Sequence, residues 1–208
     1  QKLNKEQKAN SASVYRYKRL QELLSVNYPL TPQKMANILR DRRGLNNKNI
    51  GNGNEKAVNQ LIAHHSIIFM PDSLRFWVST SPWQLGTYVC YDLKKIFSMK
   101  ALQRDTAVAL NDLNIPADSF LHTGEFADFL LFRKNKMALL HGQSVDTAQT
   151  VRSNPLYYDA YRIAGDYCKQ HNWKAAAVRY YQQALSLEIA TAEERKAIEK
   201  KIKDCLQG

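Results

Sequence analysis

Residues 66–83, SIIFMPDSLRFWVSTSPW, constrain the fold more than any other stretch. Ile67 and Phe69 alternate on one side of a first strand, and Leu74, Phe76 and Val78 alternate in a second. Pro71, Asp72 and Ser73 supply turn residues between them, so the stretch reads as a hairpin. The segment 87–97, TYVCYDLKKIF, extends the sheet and then turns helical near Asp92. After Phe97 the period changes. Segments 100–120 and 124–142 are helical in spacing, the second with Phe126, Phe129, Leu130, Met137 and Leu140 as its apolar positions. The fold class is therefore α+β. A boundary between residues 97 and 101 separates a portion at 1–98 from a helical region at 99–208.

Two helices precede the hairpin. Val14, Tyr17, Leu20, Leu23 and Leu24 share a helical stripe. Thr31-Pro32 is an N-cap followed by proline at the first helical position. The helix it opens should bury Met35, Ile38 and Leu39 and end at Gly44. Residues 45–54 are a turn-rich loop, and residues 55–65 read as a short helix or a lead-in. Residues 1–12 are polar and basic and are expected to fray.

The composition is that of a globular chain: 208 residues, 44% hydrophobic and 24% charged. The net charge of +11 favours anionic partners at long range. Its carriers are scattered, however. Lys34, Arg40, Arg42 and Arg43 form one loose group. Lys196, Lys200, Lys201 and Lys203 alternate with Glu193, Glu194 and Glu199 as a solvated helix face. No nucleic-acid recognition motif is present, so nucleic acid is not an expected partner. No apolar run reaches the length of a membrane span, and residue 1 does not open a signal peptide; the compartment stays open. Cys90, Cys168 and Cys205 are too sparse for a disulfide framework, and Cys90 and Cys168 read as buried small hydrophobes. His64 and His65, adjacent in an extended stretch, point to opposite faces and lack nearby ligands, so no metal site is expected. One should bond in the core and the other face a neighbour. The 51–55 stretch GNGNE lacks the Lys-Ser/Thr of a phosphate loop. No cofactor is expected.

Residues 161–187 match the tetratricopeptide pattern at Gly165, Ala177, Tyr181 and Ala184, with Asn172-Trp173 at the turn. The hairpin should span about 157–190; the competing reading is a helical hairpin that packs on the preceding helices. Thr191 and Glu194 form a capping box for a last helix ending near Cys205.

The segments RYKRLQELL, MANILRD, NEKAVNQLIAHHSIIF and FWVSTSPWQLGTYVCYDLKKIF, within residues 13–97, carry a further likeness. In this order they resemble the C-terminal part of the acyl-coenzyme A:6-aminopenicillanic acid acyltransferase-like enzymes, which are N-terminal-nucleophile hydrolases. The resemblance implies part of an αββα sandwich followed by an all-helical tail. It implies cleavage or transfer of acyl groups at non-peptide or small-peptide amide bonds by an N-terminal cysteine. Residue 1 is glutamine, so no residue of this chain takes that catalytic role. The expected partners are the N-terminal remainder of the same precursor and a small acyl-amide substrate; the helical tail would pack on the core or recruit a protein partner. His65, Ser66, Trp83, Gln84 and Gly86 are the expected pocket residues, with Trp77 a further aromatic near them. The competing function is a non-catalytic helical-repeat interaction module.

Overall fold

A computed structural model describes residues 10–99 and 108–207. The expected fraying of residues 1–12 falls largely outside these, as do residues 100–107 of the 100–120 segment and part of the 97–101 boundary. The described chain is α+β. Its eight α-helices are α1 (Ser13–Asn27), α2 (Pro32–Leu39), α3 (Leu93–Ser98), α4 (Gly124–Leu140), α5 (Thr147–Arg152), α6 (Tyr158–Gln170), α7 (Lys174–Leu185) and α8 (Ala192–Gln207). One antiparallel sheet runs in the order β1 (Ile67–Met70), β2 (Arg75–Ser79), β3 (Tyr88–Asp92).

Local hydrogen bonds explain why several elements begin where they do. Thr31 Oγ1 accepts from Lys34 N at 3.2 Å and starts α2. Asp92 Oδ1 accepts from Lys95 N at 3.2 Å and converts β3 into α3. Thr191 Oγ1 accepts from Glu194 N at 3.2 Å and starts α8. Each satisfies an amide that the first helical turn leaves without a partner.

Four expectations are corrected. Residues 55–65 form turns and bends rather than a helix. Asn54 and Asn59 accept from Lys56 N and Leu61 N, local bonds that compete with helical ones. Helix α2 stops at Leu39, before Gly44, because Arg40 turns into the interior. The described part of 100–120 holds 3-10 turns and extended backbone. Ile115 exchanges two 2.9 Å bonds with Tyr88, and Leu110 N donates to Cys90 O, so long-range pairing overrides local helical period. In α4 the buried positions are Phe129, Phe132, Asn135 and Leu139, whereas Leu130, Met137 and Leu140 are exposed. That helix is apolar on several sides, so spacing alone cannot choose its inner face.

The sheet has an unusual outer surface. Ile68, Trp77 and Cys90 lie in register and are buried with Tyr88, Ala36 and Ile115. The opposite face carries two rows, Ile67–Val78–Val89 and Phe69–Phe76–Tyr91. All six residues are apolar or aromatic, and none is fully buried; Phe69 is 67% exposed. Phe76 stacks on Tyr91 at 5.1 Å and on Phe69 at 6.1 Å. An antiparallel sheet with one face in water ordinarily alternates apolar with polar residues. Here Ile67 and Phe69, which alternate most plainly in the sequence, lie on the open face.

The larger core joins α4 and α6–α8 to Leu61 and Leu85. Gly165 permits the close approach of α6 and α7: a Cβ there would lie 2.6 Å from the Tyr181 ring. Tyr181 is fully buried, and its hydroxyl donates to Asp166 Oδ1 at 2.7 Å.

Candidate functional site

Two adjoining places in the fold concentrate buried polar groups. The first is the turn between β2 and β3, which contains three of the five expected pocket residues. Trp83 and Gln84 both adopt positive φ, 44° and 57°. Gly86 sits where any Cβ would collide with Thr80 Oγ1 and the Ser81 carbonyl. The turn is gripped from α2. Gln84 Nε2 donates to Leu39 O at 2.5 Å, and Arg40 donates to Gly86 O at 2.7 Å and Pro116 O at 2.8 Å. The Arg40 guanidinium also lies 5.0 Å from the centre of the Tyr88 ring. Burial pulls its pKa down, against a raising contribution from Asp118. Arg19 holds the next residue, Asp41, through two bonds of 2.8 and 2.9 Å.

Ser66 joins this cluster at its far side: its hydroxyl meets the Tyr88 hydroxyl at 2.5 Å, and its N–H donates to Ser79 Oγ. His65 does not join it. Both His64 and His65 are exposed, so neither is the expected core histidine. Among the described residues no group of three or more acidic, histidine or cysteine side chains could hold a metal ion. Trp77 is buried, with its indole N–H donating to Leu113 O at 2.8 Å. Cys90 and Cys168 are buried, and burial pushes both thiols up, away from the reactive thiolate.

The second place lies on the other side of Trp83. Its indole leaves the sheet and packs edge-on against Phe129 at 5.7 Å. Arg133 covers the ring, its guanidinium carbon 4.4 Å from the centroid. Beside it a cavity of about 240 Å³ is lined by Leu61, Phe129, Phe132, Tyr157, Arg133 and Glu55, among others. The GNGNE stretch forms one wall and ties the two halves of the chain together. Asn52 and Asn154 exchange two hydrogen bonds, and Asn54 Nδ2 donates to Glu188 O at 2.9 Å.

Glu55 is the unusual acid here. Its Oε1 accepts from Tyr157 at 2.9 Å and from Tyr158 at 3.4 Å, whereas its Oε2 is buried without a partner. Burial raises its pKa above the ordinary 4.5. The folded state therefore favours the protonated acid. Stability from this group is fully present below 4.5 and is lost as pH rises through the raised folded value. Glu55→Gln should leave the melting temperature unchanged below about pH 4 and raise it as pH climbs from 4.5 to the raised folded value, above which the difference levels off. Thermal melts of both proteins across pH check this; parallel curves would contradict it.

Glu55 and Arg133 escape sequence reasoning because 78 residues separate them, and the GNGNE stretch that ends at Glu55 gives no sign of its partners. Arg40 was visible only as one member of a loose basic group. No family model, curated protein or solved structure matches this chain. Among the described residues no helix is long and apolar enough to cross a membrane.

Proposed function

We propose that this chain is the C-terminal portion of an amidohydrolase or acyltransferase acting on non-peptide or small-peptide amide bonds. The observation that carries this reading is the apolar outer face of the sheet, on which Ile67 and Phe69 are exposed and Phe76, Val78, Val89 and Tyr91 are half-buried. One face is packed by α2 and residues 109–116; the other presents Phe69, Phe76 and Tyr91 as a stacked row. Such a surface suits one layer of a two-sheet sandwich, with a second sheet laid about 10 Å away. The second sheet and the cysteine nucleophile would come from the N-terminal remainder of the precursor.

In this reading the chain supplies shape and rigidity rather than the nucleophile. The cysteine sulfur adds to the amide carbonyl while the adjacent α-amine takes the thiol proton. The amine leaves with that proton, and water or an acceptor amine then resolves the thioester. Arg40 and the 80–87 turn form a fixed wall behind Ser66 and Tyr88. N-terminal sequencing of the product of the complete native gene tests this. The expected result is a chain that begins with cysteine, whose replacement by alanine abolishes both processing and amide cleavage. A product without such a chain would end the reading.

One observation favours the second reading, a helical interaction module. A groove of about 410 Å³ runs between α7 and α8, lined by Val178, Cys205 and Leu206, with Leu206 exposed. A further helical repeat would cover it.

A further inference from the structure

We propose that the cavity beside Trp83 binds a small amphiphilic anion: a short-chain or aromatic carboxylate. The walls set the body of the ligand. Leu61, Phe129, Phe132 and Tyr157 offer an apolar and aromatic lining. The volume of about 240 Å³ lies below the roughly 300–1,000 Å³ of sites for drug-sized ligands, so the occupant is small.

The charge sets its head group. Arg133 has no carboxylate partner among the described residues, which elsewhere form ion pairs such as Lys136–Asp159 and Arg162–Asp159. The Arg133 guanidinium carbon lies 4.4 Å from the centre of the Trp83 ring, a cation–π contact that holds the head group beside the cavity. A guanidinium carries a fork of N–H donors that matches a carboxylate, and Arg133 lines the cavity. Lys136, the second cation of the lining, is tied to Asp159 at 2.6 Å. Glu55 is the acid of the lining, and its desolvation disfavours the charge that would repel an anion. A cationic ligand would instead meet Arg133 and Lys136 as like charges.

This site lies on the helical side of the turn, away from the open sheet face. It stands or falls apart from the amide-cleaving reading. The test is titration of the 208-residue chain with hexanoate and, separately, hexylamine, followed by amide and arginine side-chain NMR shifts. Hexanoate should saturate, with shifts confined to residues 53–62, α4 and Tyr157; hexylamine should not bind there. Arg133→Gln should weaken hexanoate about tenfold or more, and Arg133→Lys should restore part of the loss. Thermal melts of both variants verify that they fold. The proposal is overturned if hexanoate shifts fail to saturate or spread over the basic surface. Equal binding of hexylamine, or native affinity in Arg133→Gln, overturns it as well.

Discussion

Tyr181→Ala should destabilise the chain by about 4 kcal/mol. Tyr181 is fully buried between α6 and α7, where Gly165 leaves room for its ring. Alanine would open a cavity the size of that ring and also remove the bond to Asp166. For a chain of this length the loss corresponds to a fall of roughly 10 °C in melting temperature. Tyr181→Phe should cost about 1 kcal/mol, because Asp166 keeps Arg162 and Lys201 as partners. The packing origin has its own check. Gly165→Ala should destabilise the native protein, whose Tyr181 ring lies 2.6 Å from the new Cβ, and do so much less in the Tyr181→Ala background. Additive losses in a chemical-denaturation cycle would contradict the fit of ring to glycine.

Gly86→Ala is expected to cost about 3 kcal/mol by a different mechanism. The added methyl would overlap both Thr80 Oγ1 and the Ser81 carbonyl, and backbone cannot yield as a flexible side chain can. Moving the turn would also pull Gly86 O and Gln84 O away from the Arg40 guanidinium. A buried charge that loses its acceptors is costly, so the two effects reinforce each other. Thermal and urea melts measure the loss. A near-native melting temperature would mean that the 80–87 turn is not the rigid wall described above.

The parts of this fold that the sequence discloses are those built by short-range bonds. Thr31, Asp92 and Thr191 each cap a helix through an amide three residues ahead, and all three starts were legible. The parts it conceals depend on distant partners. Residues 109–116 carry helical spacing, yet Tyr88 and Cys90 recruit them to the edge of β3. Both faces of the hairpin carry large apolar side chains, and the polar Arg75 and Ser79 share the inner face with Trp77, so alternation identifies strands without revealing which side is inward. The expected residues Trp83, Gln84 and Gly86 do gather in one turn, and Ser66 reaches it through Tyr88 and Arg40. His65 remains apart in solvent. The cavity beyond Trp83 was invisible, since its wall comes from a loop at residues 53–62 and a helix some seventy residues later.

The central claim is that the open sheet face is the inner face of a sandwich. Hydroxyl-radical footprinting of the complete native gene product tests it most directly, with the exposed Phe97 on α3 as an internal reference. A covered face predicts that Phe69, exposed in this chain, is oxidised far more slowly than Phe97. Oxidation of Phe69 as fast as that of Phe97 would show that nothing packs on the sheet, and the sandwich would be refuted.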